Sequence, residues 1–105
     1  MSEVVRVCGR HDIEPGTARK FEIGTRCLAV VRIDDDVYAI DDRCSHEDYS
    51  LSEGEVLVEE CEIECWKHGS MFSLVTGQPV TFPATVAVPV YAVVVEGDDV
   101  SVVAP

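Results

Sequence analysis

The sequence predicts an all-β chain, and three observations carry that prediction. Ten short runs rich in β-branched and aromatic residues recur along 105 residues. Turn-forming residues break the runs at close intervals. No segment holds a 3.6-residue apolar period long enough for an amphipathic helix.

The runs lie at 4–8, 20–23, 27–33, 37–40, 56–58, 61–64, 70–74, 86–88, 91–95 and 100–103. Glu14-Pro15-Gly16-Thr17 is a turn between the first two. Asp34-Asp35-Asp36 joins the third run to the fourth, and Gly97-Asp98-Asp99 joins the last two, because Asp and Gly tolerate tight-turn backbone. Thr76-Gly77-Gln78-Pro79 closes a further hairpin, with Gly77 able to supply a positive φ. A single helical turn fits near 50–52. There are no repeats, linkers or low-complexity tracts, so residues 1–105 are expected to form one domain.

Hydrophobic residues make up 47% of the chain, enough for a packed core. No apolar run approaches the roughly 18 residues of a membrane span. The opening MSEVVRVCGRH lacks the basic segment, apolar stretch and cleavage site of a secretory signal, and the expected location is cytoplasmic.

Twenty acidic against eight basic residues leave a net charge of −12. That excludes a nucleic-acid partner, whose phosphates need a basic face, and disfavours anionic membranes. Ten of the acids fall within 41–64, where Arg43 is the single Lys or Arg. That stretch reads as a solvated, self-repelling surface, as an electrostatic docking lobe, or as both.

The chemistry concentrates in two clips, Cys44-Ser45-His46 and Cys65-Trp66-Lys67-His68, separated by 18 residues. Each pairs one thiolate with one imidazole, and together they use two of the three histidines. The clips fall on loops between predicted strands, and an antiparallel pair of loops can bring them to one tip. Gly54 and Gly69 supply backbone freedom for that approach.

Two Cys and two His can hold zinc tetrahedrally. They are also the ligand set of a Rieske 2Fe–2S centre, in which two imidazoles replace two thiolates on one iron. Zinc sites of this composition usually pair Cys with Cys and His with His; a mixed clip lets one loop serve both irons. Of the remaining cysteines, Cys8 and Cys27 read as small core residues and Cys61 as a strand residue, all thiols in a reducing compartment. His11 reads as surface. Tyr38, Tyr49 and Tyr91 read as ordinary aromatics of a β domain. Met71 reads as packing, Trp66 as packing or an exposed docking anchor, and Lys67 as a solvated charge.

The double clip extends into a longer pattern: L-S-E-G-E at 51–55, C-W-K-H-G-S at 65–70, F-S-L-V-T-G-Q-P at 72–79 and P-A-T-V-A-V-P-V-Y at 83–91. On these residues the chain resembles the bacterial Rieske-type 2Fe–2S ferredoxins. They include components of ring-hydroxylating dioxygenases and proteins encoded near iron–sulfur assembly genes. The resemblance implies the Rieske fold: stacked antiparallel sheets with a cluster-binding lobe, roughly 41–83, inserted in a small β domain. It implies one 2Fe–2S cluster, with Cys44 and Cys65 on the inner iron and His46 and His68 on the outer one. It implies a proline-containing loop near Pro83 that shields the cluster.

The function implied is a one-electron carrier between a reductase and an oxygenase or other acceptor. Such a protein is itself no enzyme, acts as a monomer, and meets partners through a basic face on their side. An accessory or redox-sensing module, linked to iron–sulfur assembly or resembling a nitrite reductase small subunit, is the alternative.

Departures from the family matter. Members of respiratory cytochrome complexes carry an extra, disulfide-joined Cys in each cluster loop; here Tyr49 and Lys67 stand there. Those members also place a Tyr two residues after the Ser of H-G-S; here that residue is Phe72, while Ser70 matches the Ser. Hydrogen bonds to sulfur raise a cluster's potential. The missing Tyr and the surrounding carboxylates are therefore expected to set it at the low end of the family's range of about −150 to +300 mV.

Overall fold

A long apolar run needs cover on both faces, and the central strand of this chain has it. The computed structural model describes residues 4–43, 50–66, 69–80 and 86–103. Its strands are β1 (Val4–Gly9), β2 (Thr17–Ile23), β3 (Arg26–Ile33), β4 (Asp36–Asp41), β5 (Val56–Leu57), β6 (Glu62–Glu64), β7 (Met71–Ser73), β8 (Val90–Tyr91), β9 (Val93–Glu96) and β10 (Asp99–Val103). They pair antiparallel in three sheets, ordered β1-β10-β9, β2-β3-β4-β8 and β5-β6-β7. Among the described residues the helical structure is two single 3-10 turns, Arg10–Asp12 and Leu51–Glu53.

β3 organises the rest. Leu28, Ala29, Val30 and Val31 are all fully buried. Because side chains alternate across a strand, Leu28 and Val30 join one core with Cys8, Ile13, Ala39, Tyr91, Val100 and Val102. Ala29, Val31 and Ile33 join the other, with Ile40, Leu51, Ile63, Cys65, Phe72 and Leu74. The β3 sheet is thus packed on one face by β1 and β10 and on the other by the β5-β6-β7 sheet. A strand covered on both sides reads as a continuous apolar run, as residues 27–33 do.

The tight turns follow the turn chemistry. Ile33 pairs with Asp36 across a two-residue connection in which Asp34 takes φ +54°. Glu96 pairs with Asp99 around Gly97 at φ +60°. Ile23 pairs with Arg26 around Gly24 at φ +61°, a hairpin with no Asp or Pro to announce it.

Four expectations change. Residues 91–95 are not one strand: Tyr91 pairs with Ala39 of β4, whereas Val93 pairs with Val102 of β10. The chain passes from one sheet to another at Ala92, and that break depends on tertiary pairing. Residues 86–88 form no ladder; Val88 is buried and donates its N–H to the Gly77 carbonyl at 2.9 Å, while Val86 is exposed. Cys61 precedes β6 and adopts φ +56°, so it belongs to a turn. Its thiol meets the Tyr38 hydroxyl, a contact that holds the phenol above its usual pKa. Cys27 is only half-buried and lines an open cleft of about 510 Å³. His11 is exposed as expected, with its ring beside the Asp98 carboxylate.

Burial raises the Cys8 thiol above its ordinary 9.0, with Asp12 adding to the effect. Burial likewise raises the Tyr91 phenol above its ordinary 10.0, with Arg26 opposing and Asp41 adding. The folded chain therefore keeps protons at pH values where the unfolded chain has released them, so stability is intact below 9.0 and falls as pH rises past 9.0 and 10.0. Urea midpoints measured from pH 8 to 11 should fall less steeply in Cys8→Ala/Tyr91→Phe than in the parent; equal slopes would refute the assignment.

Candidate metal centre

The second clip is built on a strand end. β6 and β7 pair from Glu62↔Ser73 to Glu64↔Met71, so the chain must reverse between 65 and 70. It does so with the Cys65 N–H donating to the Ser70 carbonyl at 2.7 Å and the Gly69 N–H to the Cys65 carbonyl at 2.9 Å. Gly69 stands at φ +77° with open space around it, so its role is backbone sign rather than close approach.

Alternation along β6 then decides which side chains point inward. Ile63 and Cys65 share a face and are 0% and 1% exposed, whereas Trp66, one residue on, is 49% exposed. Ser70 is buried beside this turn. Phe72 pairs with Ile63 and is fully buried in the same core as Cys65.

The first clip grows from the end of β4. Arg43 and Ser50, the described residues on either side of this clip, form an isolated antiparallel bridge. The Leu51 N–H donates to the Asp42 carbonyl at 2.5 Å, and the Asp42 N–H to the Cys27 carbonyl of β3 at 3.0 Å. Leu51, the first residue of the 3-10 turn, is fully buried in the core that holds Cys65.

Gly54 connects the two loops. A Cβ at this position would stand 1.6 Å from the Glu64 carbonyl oxygen. The Glu64 N–H donates to the Glu55 carbonyl at 2.9 Å, and pairing continues through Val56↔Ile63. The segment leaving the first clip therefore runs directly on the strand that enters the second. Here the freedom expected of Gly54 is a close backbone approach.

Of the four candidate ligands, Cys65 is described and buried. Cys44, His46 and His68 lie outside the described residues, as do Tyr49, Lys67 and Pro83. Among the described residues no group of three or more His, Cys, Asp or Glu converges to hold a metal ion. The acids divide. Glu53, Glu55, Glu59 and Glu60 are exposed, so they form the solvated surface the sequence suggested. Asp42 is 3% exposed and belongs to the interior. Nothing in its local sequence separates it from Asp41; its partners, Ser50 and Ser52, lie eight and ten residues away.

Residues 3–92 match the Rieske [2Fe-2S] domain. The chain is 40% identical over 99 residues to "Ferredoxin CarAc" of Metapseudomonas resinovorans, with 93% of this chain and 91% of that one covered. Among solved structures it is similar to the ferredoxin of carbazole 1,9a-dioxygenase from Nocardioides aromaticivorans IC177, with TM-score 0.92, 38% identity and 97% of each chain covered. It is also similar to a chain in the complex of reduced oxygenase and oxidised ferredoxin in carbazole 1,9a-dioxygenase. That likeness has TM-score 0.87 and 40% identity, covering 95% of this chain and 92% of the other.

Gly54→Ala forces a methyl group against a carbonyl that has no room to give. It should cost about 3 kcal/mol in a denaturant titration, within the usual range for overpacking, and should reduce iron bound per chain. A variant with the parent's unfolding midpoint and metal content would remove Gly54 from this account.

Proposed function

This chain belongs to the Rieske [2Fe-2S] domain family, and on that premise we propose that it carries single electrons from a reductase to the terminal oxygenase of a ring-hydroxylating dioxygenase system. Its relatives are named ferredoxin components of such systems, which places it among carriers rather than catalysts. A Rieske domain holds one 2Fe–2S cluster per chain, which takes up and gives back one electron.

The residues fit such a group. A thiol-bearing residue sits buried at a hairpin end, with a buried hydroxyl residue, Ser70, beside the same turn and an apolar core behind it. Cys44, His46, Cys65 and His68 would be the ligands. The observation that supports this best is the convergence of the two loop feet, through Leu51 and Cys65, on one core. Ile63, Leu51 and Phe72 exclude water from the inner side. Trp66 and the imidazoles of the two clips would form the outer side, where a partner arrives.

The reading covers the whole chain as one domain, with residues 41–83 as the metal-binding lobe, acting as a monomer in the cytoplasm. Among the described residues no helix is long and apolar enough to cross a membrane. Cys8, Cys27 and Cys61 are thiols, as a reducing compartment requires. Glu53, Glu55, Glu59 and Glu60 project from the lobe and would meet a basic face on the partner. The encounter is then brief and salt-sensitive, as redox contacts are.

Protein purified without air should contain iron and inorganic sulfide in equal amounts and, once reduced, give a Rieske-type EPR spectrum. It should also support oxygenase turnover when supplied with a reductase. A zinc-containing, sulfide-free protein would overturn the reading.

The potential tests the finer chemistry. Phe72 lacks the hydroxyl that some family members place there, and the exposed carboxylates oppose added negative charge. Phe72→Tyr should raise the midpoint measured by voltammetry and Ser70→Ala should lower it. A parent midpoint above about +150 mV, in the upper part of the family's range, contradicts this part of the proposal.

A further inference from the structure

We propose that Asp42 is a positioning residue for the cluster: its buried side chain ties the outgoing limb of the first clip loop to the incoming one and so fixes where Cys44 and His46 are presented. This rests on the ligand assignment above. Asp42 is anchored from behind, since its N–H donates to the Cys27 carbonyl of β3 at 3.0 Å. Its other hydrogen bonds go to the residues that follow the loop. Its carbonyl accepts the Leu51 N–H at 2.5 Å. Its Oδ1 accepts the Ser52 N–H at 2.8 Å, and its Oδ2 accepts the Ser50 hydroxyl. The Ser50 and Ser52 hydroxyls lie 2.9 Å apart, so they are held in one small network.

The carboxylate is 4% exposed, and the nearest cation, Lys20 Nζ, is 4.0 Å from Oδ2. A buried carboxylate needs hydrogen-bond partners in place of water. Here the partners come from the far end of a loop whose six intervening residues, 44–49, contain two ligands. A side chain serving only the sheet would bond to the sheet; this one bonds across the foot of the loop. The Arg43↔Ser50 bridge lies between the same two limbs. Losing the carboxylate leaves only backbone ties at the foot, this bridge and the Leu51 N–H to the Asp42 carbonyl, and so loosens the limb that offers the clip.

The test compares Asp42→Ala, Asp42→Asn, Ser50→Ala and Ser50→Thr with the parent, all as purified holoprotein. Three quantities are measured: the rate of iron release to a ferrous chelator, the g-values and linewidths of the reduced EPR spectrum, and the urea midpoint. Loss of an outer-shell partner typically weakens metal binding by 10–100-fold, so Asp42→Ala should release iron about tenfold faster, with a shifted or broadened spectrum. Ser50→Ala should move the same way by less, and Ser50→Thr, which keeps the hydroxyl, should restore the parent's behaviour.

If Asp42→Ala does not fold, Ser50→Ala/Ser52→Ala takes its place: it removes both hydroxyls of the network and leaves the Ser52 N–H on the carboxylate. Variants that unfold at lower urea yet keep the parent's release rate and g-values would show a purely structural role and overturn the proposal. A parent that itself gives no Rieske spectrum would instead overturn the ligand assignment, and this inference with it.

Discussion

The metal-binding end of this molecule depends on one backbone contact. Gly54 lies so close to the Glu64 carbonyl that a methyl group would overlap it, at 1.6 Å. That contact seats the chain leaving one Cys-His loop on the strand that enters the other. Without it, the clips, separated by 18 residues of sequence, would be tied through the short β5-β6 ladder alone, and ordering the ligands would cost more entropy. With it, Leu51 and Cys65 drop into the same core.

That base is stiff because β3 is covered on both faces. Its alternating side chains feed two cores, so the sheet that carries the foot of the first loop is held from above and below. Close-packed interiors transmit strain rather than absorb it. The β5-β6-β7 sheet is small, with strands of two or three residues, and a sheet of that size is marginal in isolation. It borrows stability from the β3 face, and a bound cluster would add more, since metal binding couples to folding.

The sequence made the strands and the clips readable, and it left hidden what depends on distant pairing. Residues 27–33 read as a strand, and Asp34 and Gly97 announced tight hairpins. The break at Ala92 was hidden because both flanking residues favour strand; only the change of sheet separates them. The burial of Asp42 was hidden because an acidic run looks uniformly solvated until Ser50 and Ser52 are placed against one of its members. Cys27 looked like core because its neighbours are apolar, yet it stands near the edge of β3 beside a charged cleft. Local composition reports what a residue prefers, and long-range partners decide where it goes.

The account turns on unlike ligation of two irons, thiolates on the buried side and imidazoles on the outer side. Pulsed EPR or ENDOR of the reduced protein, prepared with ordinary and with 15N-labelled histidine, tests this most directly. Two histidine nitrogen couplings that rescale with the isotope are the predicted result. A reduced cluster with no such coupling, or a protein whose only metal is zinc, would contradict it.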